Sequence, residues 1–205
     1  MKTVKTKYFE YGDEEVEYLK KVDKTLGDAI EKIGKVERTI IPDLFAALIY
    51  AIIGQLISSK AVETIWNRMQ ERFIEITSQN ISKLAVDEIQ ACGITMKKAI
   101  CIKNVAKIIE QGQFNLNELY NLSDEEVIKK ISSLKGIGKW TAEMLLINSM
   151  ERPNVVSFGD SAIRRGICKL YGLEGVTEKE FKKYKERYSP YGSVASIYLW
   201  KLSFE

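Results

Sequence analysis

The nine residues Leu134-Lys135-Gly136-Ile137-Gly138-Lys139-Trp140-Thr141-Ala142 constrain this chain more than any other stretch. Glycines at 136 and 138 permit a tight turn whose backbone can approach another surface closely, because neither carries a Cβ. Ahead of them, Ser123 with Glu126 forms a capping box and starts a helix that reaches Ser132. Behind them an apolar helix spans Thr141 to Met150. The segment is therefore a helical hairpin, and the amides at the start of its second helix face outward. Unsatisfied N–H groups and the positive end of the dipole make that point a phosphate site. No strand precedes the glycines, and Trp140 and Thr141 break the dinucleotide-binding pattern. A phosphodiester backbone fits better than a nucleotide cofactor.

Charge supports this by position. From Lys129 to Lys169 there are eight basic residues (Lys129, Lys130, Lys135, Lys139, Arg152, Arg164, Arg165, Lys169) and three acidic ones (Glu143, Glu151, Asp160), so this segment carries +5 of a total of +3 and the remainder carries −2. Such a run is either a solvated helix face or a polyanion-binding one.

The rest of the chain reads as helix throughout. A charged amphipathic helix spans Asp13 to Ile33, after an opening whose conformation the residues leave open. Pro42 suits the first turn of the next helix, which runs to Ile57, is apolar nearly all round and is the expected core element. Further helices are expected over Lys60–Ile76, over Ser82–Cys92 with Gly93 closing it, and from Thr95 to near Gly112. Beyond the hairpin they run from Asp160 to Tyr171, from the Thr177/Glu180 capping box onward, and from Pro190 to the end. No period-2 pattern competes, so an all-α chain of about ten helices is expected.

At 205 residues and 45% hydrophobic content the chain can bury a core without cross-links. Cys92, Cys101 and Cys168 show no C-x-x-C spacing, so the reading is free thiols in a reducing cytoplasm, without an iron–sulfur cluster. No secretory leader or membrane span is expected.

The run Leu-x-Gly-Ile-Gly-x-x-Thr-Ala resembles the helix-hairpin-helix of the DNA glycosylases that include endonuclease III and the 3-methyladenine enzymes. Downstream, Val156-Ser157-Phe158-Gly159-Asp160, followed by Ile163-Arg164-Arg165 and Leu170-Tyr171-Gly172, matches their aspartate loop in order and spacing. Upstream, Ile52-Ile53-Gly54-Gln55-Leu56-Ile57-Ser58 resembles the segment of the alkyl-base branch that lies at the lesion. The stretch from Tyr184 to Trp200 is similar to that branch's C-terminal helix. Together these cover about Asp43 to Trp200, and the branch is that of DNA-3-methyladenine glycosylase II.

The resemblance implies a two-lobed, all-α fold with an active-site cleft between the lobes. Residues 1–40 would form an N-terminal helix packing with the C-terminal lobe, 41–149 a central bundle ending in the hairpin at about 123–149, and 150–205 the aspartate loop and C-terminal helices. It implies a monofunctional enzyme that excises 3-methyladenine and similar bases from double-stranded DNA, acting as a monomer in a bacterial or archaeal cytoplasm. Asp160 would be its catalytic carboxylate, although by position alone it is equally a helix N-cap. Gly136, Gly138, Lys139 and Thr141 would grip phosphate. Trp140, Met144, Trp200 and Ser161 would line the base pocket, and Met144 and Ser161 stand where the best-known bacterial enzyme has aromatic residues.

Trp140 and Trp200 are either stacking platforms or core aromatics. Leu56, with Gln55, would wedge into the duplex where the nucleotide leaves; otherwise they are a core leucine and a cap-region glutamine. Trp140 occupies the position of the lysine nucleophile in lyase-competent relatives, with Lys139 beside it. The backbone carbonyls of Ser132, Leu134 and Ile137 would hold a sodium, potassium or magnesium ion, and no cofactor is required. Two other readings stay open: a related glycosylase for oxidised or deaminated bases, and a non-catalytic DNA-binding hairpin protein.

Overall fold

The computed structural model describes residues 3–204. In chain order it contains β1 (Lys7–Tyr8), α1 (Asp13–Val22), α2 (Lys24–Ile33), β2 (Thr39–Ile40), α3 (Leu44–Gly54), α4 (Ser59–Arg72), α5 (Ser78–Lys83), α6 (Val86–Gln90), α7 (Met96–Glu110) and a 3₁₀ turn (Leu116–Asn121). These are followed by α8 (Asp124–Ser132), α9 (Lys139–Asn148), α10 (Ser161–Tyr171), α11 (Glu178–Tyr188) and α12 (Gly192–Phe204). The fold is all-α apart from the paired two-residue strands β1 and β2. Among the described residues no helix is long and apolar enough to cross a membrane.

The chain forms two compact units. One comprises the described residues up to Lys7 with Ile40–Met150; the other comprises Tyr8–Thr39 with the described residues from Glu151 onward.

In the first unit α3 is the core element. Nine of its eleven residues are buried, and it packs against α4, α7 and α9. Its start differs from expectation. Asp43 accepts the Ala46 N–H at 2.7 Å and is the N-cap, so Pro42 stands outside the helix. The expected helix over Ser82–Cys92 is instead the pair α5 and α6, broken where Leu84 and Ala85 are extended; Gly93, at φ +104°, closes the second as its lack of a Cβ allows.

In the second unit the single helix expected from Asp13 to Ile33 is two. Asp23 adopts an extended conformation and its side chain accepts the Leu26 N–H at 2.9 Å, ending α1 and capping α2. α10 and α12 form the tightest pair. A Cβ on Gly166 would stand 2.2 Å from the Leu199 carbonyl oxygen, so the α10 backbone lies directly on α12. α12 begins at Gly192, two residues after Pro190, and ten of its thirteen residues are buried.

Candidate active site

The hairpin lies in the first unit, with α8 leading through Gly136 and Gly138 into α9. Gly136 has φ +92°, and a Cβ there would stand 2.9 Å from the Cys101 Sγ. Both facts require glycine. Cys101 is buried, its thiol donates to the Lys135 carbonyl at 3.4 Å, and burial pushes that thiol's pKa up. It is a packing residue behind the turn. Gly138 is the N-cap of α9 and offers no side chain to the first amides of the helix. Lys139 is exposed, with Nζ 3.8 Å from Glu143 Oε1 one turn along.

The end of α3 is fastened to this hairpin. Gln55 donates through Nε2 to the Gly136 carbonyl at 3.2 Å and to Thr141 Oγ1 at 3.0 Å. Lys98 donates through Nζ to the carbonyls of Ile53 (2.7 Å) and Gln55 (2.6 Å), capping the negative end of α3; burial holds its ammonium below the usual lysine range. Of the two readings of Gln55, wedge or cap-region glutamine, the structure has the second: Gln55 is the C-cap of α3, and its amide is committed to the hairpin. Leu56 behaves differently. It is fully exposed, at 105%, and its backbone sits in the left-handed region at φ +59°. A leucine in that conformation with its side chain in water gains nothing for the fold.

Of the expected pocket residues in this unit, Trp140 is half-buried, with its ring tip 3.4 Å from where a Cβ on Gly54 would stand, and Met144 is buried. Ser132 Oγ is a buried side-chain oxygen without a hydrogen-bond partner, and the Leu134 carbonyl accepts the Ile137 N–H at 3.0 Å.

The second unit builds the site around Asp160. α12 turns Gly192, Ser193, Ser196 and Trp200 toward the incoming loop. Gly192 leaves room for Asn154 and Val156, since a Cβ would stand 2.9 and 2.7 Å from their side chains. Ser193 Oγ accepts the Val155 N–H at 3.0 Å, and Ser196 donates to the Val155 carbonyl at 2.8 Å. Two turns on from Gly192, Trp200 Nε1 donates to Asp160 Oδ1 at 3.1 Å. The same oxygen accepts the N–H groups of Ala162 and Ile163, each at 2.9 Å, so the N-cap reading of Asp160 holds. The carboxyl group is 8% exposed as a residue and held by three donors.

A buried, fixed carboxylate at a helix N-terminus can stabilise developing positive charge without reorganising. Trp200, expected as either a stacking platform or a core aromatic, is buried, with its ring covered by the Arg38 guanidinium, 4.2 Å from the centroid, and its indole N–H committed to Asp160. Its N–H is turned to the carboxylate and the residue is 7% exposed. Ser161 is exposed, its hydroxyl accepting from Arg165 at 3.3 Å. Sequence reasoning did not single out Lys98, Arg38, Ser193 or Ser196; the small residues Gly192, Ser193 and Ser196 ahead of Trp200 on one helix were the available signal.

A two-unit helical protein with a glycine-turned hairpin and a clamped carboxylate at the start of a later helix defines a helix-hairpin-helix repair class. The sequence pattern described as HhH-GPD superfamily base excision DNA repair protein matches residues 49–190, and the chain belongs to that family. It is 34% identical over 166 residues to DNA-3-methyladenine glycosylase 1 of Schizosaccharomyces pombe, covering 78% of this chain and 72% of that one. Its structure is similar to that of S. pombe 3-methyladenine DNA glycosylase in complex with abasic DNA (TM-score 0.85, 29% identity, 92% of this chain and 95% of that one). It is also similar to a DNA-3-methyladenine glycosidase from Bacillus halodurans (TM-score 0.79, 31% identity, 96% and 92% covered).

Proposed function

We propose that this protein is a base-excision-repair glycosylase that hydrolyses the N-glycosidic bond of alkylated bases, 3-methyladenine and similar, in double-stranded DNA. The observation that carries this is Asp160, a buried carboxylate with one oxygen fixed by Ala162, Ile163 and Trp200.

Cleavage breaks the C1′–N bond, and the electron pair leaves with the base. An alkylated purine is already cationic, so it departs neutral and needs little acid assistance, which suits a chain with no histidine. Positive charge then develops on the sugar, where a preorganised anion stabilises it. Water adds to C1′, and its proton passes to the Asp160 carboxylate or to solvent. Trp140 supplies no amine where lyases carry lysine, so the reaction stops at the abasic site.

The hairpin amides at Gly136, Gly138 and Thr141, with Lys139, grip the phosphodiester backbone without sequence preference. Leu56 fills the space left by the extruded nucleotide, which explains a leucine held in water in a left-handed conformation. The lesion supplies selectivity through weak pairing and positive charge, and the base is received near Trp140 and Met144.

A cation belongs to the same reading. The carbonyls of Ser132, Leu134 and Ile137 are hard oxygen donors of the kind that sodium, potassium or magnesium takes, and the unpartnered Ser132 Oγ lies among them in sequence. Bound there, the ion would supply positive charge beside the phosphate.

The test is base release from alkylated duplex DNA by wild type and Asp160→Asn, followed by chromatography, with duplex binding measured for both. Asparagine keeps the acceptor oxygen and so the cap. Wild type should release 3-methyladenine and the variant at least about 10²-fold more slowly, with binding retained. Equal release would reduce Asp160 to a cap; release by neither would point to another lesion class or a binding module.

A further inference from the structure

The basic residues of the Lys129–Lys169 segment divide between the two units, and the proposed mechanism uses none of the cations on α10. That helix turns Ile163, Gly166 and Ile167 into the core and leaves Ser161, Arg165 and Lys169 exposed at four-residue intervals. An open depression of about 500 Å³ lies along this face, lined by Arg164, Arg165, Cys168, Lys169 and Glu174 among others.

Three cations face one carboxylate there. Arg164 is partly committed, donating to the Phe158 carbonyl and lying over the Phe158 ring. Arg165 donates to Ser161 Oγ at 3.3 Å and Lys169 to the Ser203 carbonyl at 3.2 Å; neither has a carboxylate at ion-pair distance among the described residues. Among the described residues neither cation is held in an ion pair, and both lie on a surface that begins at the residue after Asp160.

We infer that this face of α10 is a second phosphate-binding surface, which takes the backbone of one DNA strand beside the nucleotide presented to Asp160. The inference rests on the DNA-glycosylase reading above. Four residues of helix advance by about 6 Å, and a nucleotide of duplex by about 3.4 Å along its axis. Arg165 and Lys169 therefore span about two nucleotides of one strand. Glu174, on the same depression, opposes the strand and moderates the grip. Contacts of this kind carry no sequence information and act on affinity and register.

The experiment uses the full chain and a lesion-containing duplex, with binding measured across a salt series for wild type, Arg165→Ala, Lys169→Gln, the double variant and Glu174→Gln. Thermal melting of each variant controls for the loss of the Lys169 contact to Ser203. Each neutralised phosphate contributes about −0.9 to the slope of log affinity against log salt. Each single variant should make that slope shallower by about one and the double variant by about two, whereas Glu174→Gln should tighten binding at low salt.

A second readout is built in. Cys168 lines the depression, whereas Cys92 and Cys101 are 1% and 7% exposed. A chromogenic thiol reagent therefore reports on Cys168 in the folded protein, and saturating duplex should slow its reaction. Unchanged slopes in folded variants, or a Cys168 equally reactive with and without DNA, would overturn the second surface. If wild type still released alkylated bases in that case, the glycosylase reading would stand; if wild type bound no DNA, both would fall.

Discussion

The indole Nε1 of Trp200 donates to Asp160 Oδ1 at 3.1 Å, so an aromatic residue from the last helix directly fixes the carboxylate at the start of α10. With Arg38 stacked on the ring at 4.2 Å, the carboxylate, the indole and the guanidinium form a chain of contacts within one unit. Trp200→Phe keeps a ring in place and removes the donor. A hydrogen bond to a charged group contributes about 1.5–3 kcal/mol, and loss of part of that should slow single-turnover excision about tenfold or more. Duplex affinity should hold, because the indole N–H points at the carboxylate and not at phosphate. An unchanged single-turnover rate would make Trp200 a packing residue only.

Leu56 separates fold from function more sharply. Its left-handed backbone costs a non-glycine residue about 1–2 kcal/mol, partly offset in a glycine variant by the greater entropy of the unfolded chain. Leu56→Gly should therefore leave stability unchanged or raise it by about 1 kcal/mol, read by urea denaturation. The same variant should lose most excision from a normally paired duplex while keeping activity on lesions in weakly paired or bulged DNA, where extrusion is already partly achieved. A destabilised variant with full activity would show Leu56 to be structural.

What was legible in the sequence was what short-range contacts decide. Thr95, Ser123, Asp160 and Thr177 cap α7, α8, α10 and α11 as read, because each bond joins residues two or three apart. The hairpin glycines were legible for the same reason: a turn's backbone demand is local. The break between α1 and α2 was missed although its cap, from Asp23 to the Leu26 N–H, is local too; the partners that hold Asp23 in place, Tyr171 and Arg187, lie 148 and 164 residues away. The brace from Gln55 to Thr141 and the clamp from Trp200 to Asp160 are likewise long-range, so the residue types were visible while their assignments were not. Leu56 was legible as a candidate, but only its exposure and backbone angle set it apart from a core leucine.

Gly166 is a case where a small residue carries the geometry of the site. A Cβ there would lie 2.2 Å from the Leu199 carbonyl oxygen, and backbone cannot yield as a side chain does. Gly166→Ala would gain about 1 kcal/mol in helix propensity on an unpacked surface. Here it should instead destabilise the second unit by about 3 kcal/mol, as overpacking against fixed backbone does. Because Trp200 follows Leu199 directly, excision should fall further than the loss of folded protein explains. Thermal melting combined with single-turnover kinetics at a temperature where the variant is folded measures both effects, and a stabilised variant would contradict the close approach of α10 and α12.

Asp23 sets the acid limit of the second unit. Its Oδ2 accepts from Tyr171 Oη and Arg187 Nη1, both at 2.6 Å, and its Oδ1 accepts the Leu26 N–H. Burial alone would raise its pKa; the hydrogen bonds from Tyr171, Arg187 and the Leu26 amide outweigh burial and hold the carboxyl below the usual aspartate range. A carboxyl whose pKa is lower in the folded than in the unfolded chain binds its proton more readily when unfolded. The stability it contributes is therefore fully present above the ordinary aspartate pKa of about 4 and is lost as the pH falls through the lower folded value. Asp23→Asn keeps the cap on α2 but removes the charge that pairs with Arg187, whose side chain is 44% exposed, at a cost of about 1–2 kcal/mol near neutral pH. The gap between wild type and variant in urea midpoint should then narrow as the pH is lowered from 7 toward 3, because protonation removes from wild type what the substitution has already removed. A gap that stays constant over that range would show that the stability lost in the variant does not come from the ionisation of Asp23.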